Sequence, residues 1–414
     1  MENMPIHIEE VPTLPVHLPE SNITPFLIDI DPSVIENLYR RLAGTRWTDE
    51  VENAGWDYGT NEAYLRELCA YWQNDYDWRE QERMLNDFHH FKTTIDGTGI
   101  HFIHHTGEGS PSIPLLLTHG YPDSFARFLK IIPLLTKADE HGLSFDVVVP
   151  SIPGYGFSEI PKHKGMDTDK VAGLFAKLMT ERLGYEKFMA HGGDSGSSIT
   201  EAIALYHEES VTGIHLTDIP WQHLLTQPEE PTAAEKKFFE KNARWQQTEG
   251  AYALIQSTKP QTLAYGLNDS PAGLAAWIIE KFKTWSDNKG DIENAFSKEE
   301  LLTNLTIFWI TGTINSAFRL YYESIKSVMN AKYNPLVKLN PFDRTNAKTE
   351  VPTAFALFPK DITSPPKDFA DRYFNVQRWT EMDRGGHFAA MEEPELLVAD
   401  IRAFANSLYG NQAG

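Results

Sequence analysis

Asp194 and Ser195 sit where a side chain could become a nucleophile. A short apolar run, Lys187-Phe188-Met189-Ala190, gives way to His191-Gly192-Gly193-Asp194-Ser195-Gly196-Ser197, and helical spacing follows at once in Ile199, Ala202, Ile203 and Leu205. This is the outline of a strand-to-helix turn so tight that only small residues fit two positions either side of the reactive one. The helix N-terminus behind the turn offers free N–H groups and positive potential to an anion. Two registers fit. Asp194 is flanked at two residues by Gly192 and Gly196, whereas Ser195 is flanked by Gly193 and Ser197, a looser match. A glycine-rich turn ahead of a surface helix would look similar, so the chemical reading depends on partners elsewhere.

Those partners are present. Asp361 follows an apolar stretch, Val351 to Phe358, and His387 follows another, about Phe374 to Thr380, in the turn Arg384-Gly385-Gly386-His387-Phe388. Nucleophile, acid and histidine thus occur in the order that a parallel sheet with an elbow uses. A third loop, His119-Gly120-Tyr121-Pro122-Asp123, follows the buried run Ile113 to Thr118. An acyl oxyanion needs two backbone donors, one after the nucleophile and one from such a loop, which designates Ser195 and Tyr121. Pro122 would fix that turn, through a cis peptide bond if the geometry requires one.

The elements that must position these groups can be read in outline. Asp31-Pro32-Ser33 starts a helix with Val34, Ile35, Leu38, Tyr39 and Leu42 on one face, within a helical meander assigned to residues 1–88. Trp47, Trp56, Trp72 and Trp78 are expected to pack that segment onto a larger domain. His90 to Ile95 and Ile100 to His105 flank Asp96-Gly97-Thr98-Gly99, a hairpin, and the histidines of its second strand are expected on a solvated face. Asp146 to Pro150 and Val211 to Leu216 read as further strands, with a helix from about Thr168 to Leu183 between them. This alternation predicts a mostly parallel, doubly wound α/β sheet over residues 89–220 and 336–414. From 221 to 335 strand signals vanish, which predicts a helical lid over the sheet's C-terminal edge. By pattern alone the lid tyrosines Tyr252, Tyr265, Tyr321 and Tyr322 are packing residues.

Composition excludes several function classes. The chain has 414 residues, 41% of them hydrophobic, which is ample for a large core, and a formal net charge of −21. Such a charge disfavours nucleic acid and anionic membranes as partners. The single cysteine, Cys69, excludes an internal disulfide and a cysteine-based metal cluster, and suits a reducing compartment such as the cytoplasm. Met1 to Glu20 contains no apolar run long enough for a signal peptide or membrane anchor, so a soluble protein is expected.

With these pieces assembled, the chain resembles an α/β-hydrolase epoxide hydrolase of the microsomal-type branch, which carries an N-terminal epoxide hydrolase segment. The likeness spans essentially the whole sequence. It is densest in Ser257 to Thr262, Leu267 to Trp277, Trp309 to Ile314 and Arg384 to Ala390. The resemblance implies an α/β-hydrolase fold, with Asp194 as nucleophile, His387 as base and Asp361 as its orienting acid. It also implies that Tyr252, five residues before Ser257, and Tyr321, after Arg319-Leu320, hold the epoxide oxygen. Relatives often have Trp where this chain has Tyr121 and Ser195, so a reshaped pocket wall is expected. Asp361 stands where some relatives have Glu, and a membrane anchor like that of the mammalian branch is not expected.

The implied chemistry accounts for the residue types. A carboxylate can open a strained epoxide in line, forming an ester, while two tyrosine hydroxyls protonate the departing oxygen. Histidine then activates water against the ester, and the backbone donors hold the oxyanion. The partners are a small hydrophobic epoxide and water; no cofactor and no metal is required. A haloalkane dehalogenase would also use Asp, but would want a Trp N–H for its halide where Ser195 stands. A serine esterase in the Ser195 register leaves Asp194 and the tyrosine pair unexplained. A non-catalytic ligand-binding relative would lack a working histidine or acid.

Overall fold

A computed structural model describes residues 22–110, 112–333 and 347–409. The expectation for Met1 to Glu20 and the lid boundary at 335/336 lie outside the described residues. The centre is a nine-stranded sheet in the order β1-β2-β3-β5-β4-β6-β7-β8-β9. These strands are β1 (Thr24–Pro25), β2 (His90–Ile95), β3 (Thr98–His105), β4 (Ser112–Thr118), β5 (Ser144–Pro150), β6 (Phe188–Gly192), β7 (Val211–Leu216), β8 (Pro352–Leu357) and β9 (Asn375–Glu381). Strands β1 to β3 pair antiparallel, as does β3 with β5, and the rest are parallel. The central parallel strands are covered on both faces, so they read as continuous apolar runs rather than alternating ones.

The helices fall into three groups. α1 (Pro32–Ala43), α2 (Glu62–Asn74) and α3 (Trp78–Asn86) precede the hairpin. α4 (Ile132–Thr136), α5 (Thr168–Lys177) and α6 (Ser195–Tyr206) belong to the sheet's crossovers. α7 (Ala233–Thr248), α8 (Ala251–Thr258), α9 (Pro260–Asp269), α10 (Pro271–Thr284), α11 (Lys298–Thr311) and α12 (Ile314–Tyr333) fill the gap between β7 and β8. The C-terminal part adds α13 (Lys367–Ala370), α14 (Ala389–Glu392) and α15 (Pro394–Tyr409). α1 begins where Asp31 caps it, its side chain accepting from the N–H of Ser33, and buries Ile35, Leu38 and Leu42. α5 continues into a π-helical turn, Leu178–Arg182, which completes the helix expected to Leu183.

Of the N-terminal tryptophans, Trp72 packs across onto the helices between β7 and β8, whereas Trp78 Nε1 bonds to Glu82 within its own segment. Trp72 is fully buried and its Nε1 donates to Thr306 Oγ1 at 3.0 Å, while Tyr76 Oη and Thr303 Oγ1 are 3.1 Å apart. The N-terminal helices thereby brace α11. In turn α11 braces the loop after β4: Asn304 Nδ2 donates to the carbonyl of Pro122 at 2.8 Å, and Ser124 Oγ donates to Asn304 Oδ1 at 3.0 Å. The Tyr121–Pro122 peptide in that loop is cis.

The hairpin forms as expected around Asp96 and Gly97, both at positive φ, but of the second-strand histidines only His105 keeps partial exposure. His101 and His104 are buried. His101 Nε2 shares a hydrogen bond with His90 Nδ1 at 2.9 Å, and its Nδ1 pairs with Ser151 Oγ at 2.9 Å. The reason is tertiary: the rings of Phe26, Phe125 and Phe157 close over His101, and Tyr185 packs on His104 and bonds to its Nε2 at 2.9 Å. Burial accordingly pushes the His101 and His104 rings below the ordinary imidazole range.

Candidate active site

The elbow resolves the choice of register. Asp194 sits at φ 58° and ψ −129°, and α6 starts at the next residue. Such a backbone is costly for a residue with a side chain and persists only where the surroundings impose it. They do so here through the two glycines. A Cβ on Gly192 would lie 2.2 Å from the carbonyl oxygen of Gly196, and one on Gly196 would lie 2.1 Å from that of Thr118. The residue thrust forward by the turn is therefore Asp194.

Its carboxylate is held asymmetrically. Oδ1 accepts from the Tyr121 N–H at 2.9 Å, the Ser195 N–H at 2.6 Å and the Ser195 hydroxyl at 2.9 Å. The two backbone donors are those expected of an oxyanion hole; the hydroxyl is an addition. Oδ2 faces His387, whose Nε2 lies 3.6 Å away. On its far side the His387 ring pairs with Asp361, Nδ1 to Oδ1 at 2.7 Å. Asp361 Oδ1 also accepts the N–H of Ile362 at 2.6 Å. Asp194, His387 and Asp361, from three separate loops, are thus brought together as the sequence order implied.

The histidine loop is clamped from two directions. The His387 N–H donates to the carbonyl of Trp285 at 2.8 Å, just past α10. The carbonyl of His387 accepts from the guanidinium of Arg127, itself paired with Asp123, and all three residues are buried. Burial alone would disfavour a charged ring at His387. Asp361 and Asp194 outweigh it and raise the pKa to about 10, so the free protein holds an imidazolium at neutral pH.

Tyr252 on α8 and Tyr321 on α12 complete the group. Their ring centroids are 6.1 Å apart at 73°, and α8 packs directly on α12. Both phenols are pushed above their ordinary range, by burial first and by the charge of Asp194 second, so both remain proton donors. Tyr121 is fully buried, stacks on Tyr252 at 6.2 Å and meets Tyr321 edge-on at 5.7 Å. Trp277 Nε1 donates to its hydroxyl at 2.5 Å. Tyr121 therefore fixes the tyrosine pair, while Ser195 lines the cavity.

That cavity measures about 430 Å³, within the range of a small-molecule site. Asp194, Asp218, Tyr252, Tyr321 and His387 are among its polar lining, with Ser195, Asn242 and Gln246, and Leu224, Trp245, Ile325 and Ile362 are among its apolar walls. A groove of about 390 Å³ elsewhere carries Lys164, Lys259 and Arg319 but none of these groups. The chemistry belongs to the first.

Two residues of the site gave no signal in the sequence. Trp285 packs against both Tyr252, at 5.0 Å, and His387, at 5.3 Å, joining α8 to the histidine loop. Asp218, two residues past β7, accepts the N–H of Asp194 on its Oδ2 at 2.8 Å. Neither stands in a recognisable motif; only the folded chain brings them to the elbow.

Comparison with known proteins identifies the family. The family model described as the epoxide hydrolase N terminus matches residues 23–128, and that described as the alpha/beta hydrolase fold matches residues 113–394. Epoxide hydrolase 1 of Sus scrofa is 39% identical, covering 95% of this chain and 91% of its own length. The chain belongs to the α/β-hydrolase-fold epoxide hydrolases. Within the family, Juvenile hormone epoxide hydrolase 1 of Ctenocephalides felis is 36% identical over 92% of this chain and 85% of its own. The crystal structure of the juvenile hormone epoxide hydrolase from the silkworm Bombyx mori superposes with a TM-score of 0.84 at 28% identity, covering 95% of this chain and 96% of that one. The structure of the Aspergillus niger epoxide hydrolase gives 0.80 at 27%, covering 94% and 98%.

Proposed function

We propose that this protein converts an epoxide and water into a vicinal diol through an ester on Asp194. The observation that carries the reading is the pairing of two protonated tyrosines, Tyr252 and Tyr321, with an Asp194–His387–Asp361 array in one largely apolar cavity. A serine esterase or a dehalogenase has no use for that pair.

In the first step Asp194 Oδ2 attacks one epoxide carbon, the C–O bond breaks, and the oxygen takes a proton from a tyrosine, which solvent restores. Esterification cancels the charge of Asp194, one of the two anions that hold a proton on His387. The ring thereby moves toward the neutral form that base catalysis requires. In the second step His387 Nε2 takes a proton from water, whose oxygen bonds to the Asp194 carbonyl carbon. The negative charge gathers on Oδ1, facing the N–H groups of Tyr121 and Ser195. Collapse releases the diol, which takes up the proton from His387, and the water's second proton then leaves the new Asp194 carboxyl for the ring, restoring carboxylate and imidazolium.

Residues 1–88 act in this reading as a brace, 221–335 as the lid, and 89–220 with 336–414 as the catalytic core. Substrates are small hydrophobic epoxides. Among the described residues no helix is long and apolar enough to cross a membrane, and Cys69 is a free thiol. A cytoplasmic role in detoxifying reactive epoxides suits that thiol. Diol formation from styrene, terpene and fatty-acid epoxides tests the activity, and no turnover across such a panel would refute it.

A further inference from the structure

Asp218 is a third carboxyl at the site, and neither half of the mechanism above uses it. It lines the cavity yet is only 7% exposed. Its Oδ2 is engaged by the Asp194 N–H, which ties it to the same residue that would carry the ester. Among the described residues its Oδ1 is buried without a hydrogen-bond partner, as is Asp361 Oδ2, and His387 Nε2 has only the longer contact to Asp194 Oδ2. One carboxylate oxygen of Asp218, one of Asp361 and a ring nitrogen of His387 lie within 4.8 Å of one another. Asp194 and the Ser197 hydroxyl are the other polar groups that act on Asp218.

Buried polar atoms without partners are rare and expensive, and those that persist at a site mark where another molecule binds. Oδ1 of Asp218 and Nε2 of His387 do not bond to each other. During hydrolysis, with Asp218 ionised and the ring neutral, both are acceptors, and a molecule with two protons can satisfy both at once. Water is that molecule, and a polar cavity with two or more partners is where buried water is held. Nε2 is also 3.6 Å from Asp194 Oδ2, so a water it holds lies beside the ester bond.

We propose that Asp218 is the residue that positions the hydrolytic water, its Oδ1 accepting one hydrogen bond from the water whose other proton goes to His387 Nε2. The inference rests on the ester reading of Asp194. It adds no proton to the balance. Water gives one proton to His387, its oxygen bonds to the Asp194 carbonyl carbon, and Asp218 only aims it. Asp361 remains the acid that orients the ring.

The test separates the two steps. With a slow epoxide in excess, stopped-flow fluorescence and intact mass follow formation and decay of the ester in wild type, Asp218→Asn and Asp218→Ala. Asn keeps an oxygen for the Asp194 N–H but turns the wrong polarity toward water. Ester decay in Asp218→Asn should slow by about tenfold or more, with ester formation within about twofold of wild type. Added formate should speed decay in Asp218→Ala by occupying the vacated carboxylate position. Equal slowing of both steps would mean that Asp218 merely supports the Asp194 backbone, and unchanged decay would mean no role; either overturns the proposal. If Asp218→Ala does not fold, the Asn variant alone decides. A His387→Gln variant that never gains the mass of the substrate would instead remove the ester reading, and this inference with it.

Discussion

Ser195 donates twice to one oxygen of Asp194, from its N–H at 2.6 Å and from its hydroxyl at 2.9 Å. With the Tyr121 N–H, Oδ1 is saturated, and Oδ2 is left as the oxygen that can attack. The hydroxyl is a side-chain donor added to the two backbone N–H groups of the oxyanion hole. Hydrogen bonds to charged groups contribute about 1.5–3 kcal/mol. Ser195→Ala should therefore slow ester hydrolysis by about ten- to a hundredfold, where oxyanion charge develops. Ester formation, which draws charge away from the carboxylate, should be spared or faster. Single-turnover rates for the two steps check this, and equal losses in both would remove the hydroxyl from the oxyanion hole.

The lid tyrosines carry the second prediction. Each lies where the charge of Asp194 is felt, and each is held protonated by burial. Tyr252→Phe and Tyr321→Phe should each slow ester formation by about tenfold or more, within the usual range for a positioned acid. The double variant should lose nearly all alkylation, and the two effects should not add, since the hydroxyls serve one oxygen. Near-normal alkylation in the double variant would reduce both residues to packing.

His387 divides the reaction at a different point. Attack of Asp194 on the epoxide needs no base, whereas attack of water on the ester does. His387→Gln should accumulate protein heavier by the mass of one substrate, read by intact mass spectrometry. Full turnover with no adduct would contradict the assignment of the base.

Asp218 also predicts how stability follows pH. Burial, reinforced by Asp361, raises its carboxyl to about 7. A group with a raised folded-state pKa binds its proton more tightly when folded. The stability it lends is complete below the ordinary carboxylate value and is lost as pH rises through about 7. Asp218→Asn, uncharged and of similar shape, escapes that loss. Its melting temperature should match wild type near pH 4, gain on it up to about pH 7, and stay higher by up to about 5 °C above that. A constant difference at every pH would mean that Asp218 is ionised throughout.

Much of this site was legible because its parts are local. The elbow declares itself through an apolar run, Gly192 and Gly196, and the hairpin through Asp96-Gly97; both are fixed by backbone geometry within a few residues. The strand ends that carry Asp361 and His387 follow from the apolar runs before them. What was not legible depends on which parts of the chain lie beside which. His101 and His104 look like a solvated face until Phe26, Phe125, Phe157 and Tyr185 are folded over them. Asp218, in the stretch Thr217-Asp218-Ile219-Pro220, resembles any turn acid until β7 is placed beside β6, which brings it to the Asp194 N–H. The tryptophans of the N-terminal segment announce packing, but only the fold reveals that Trp72 braces the lid helix holding the Tyr121 loop.

The origin of the diol's new oxygen distinguishes an ester on Asp194 from direct attack by water. Both routes yield the same diol, and His387 is within reach of either task, so product identity does not separate them. In the ester route the oxygen that bonds to the substrate is Oδ2 of Asp194, and water's oxygen enters the carboxylate when the ester is cleaved. One turnover in oxygen-18 water, with enzyme in excess, should give diol that is almost entirely unlabelled. The heavy oxygen should appear in the peptide carrying Asp194, and repeated turnovers should then pass it into later diol. Direct hydration would reverse the pattern, labelling the first diol and leaving the peptide light. The saturation of Oδ1 by three donors favours the first outcome, since it leaves a single oxygen to attack and presents the other to the oxyanion hole. A labelled first-turnover diol would therefore remove Asp194 from the reaction and leave its strained backbone without a purpose.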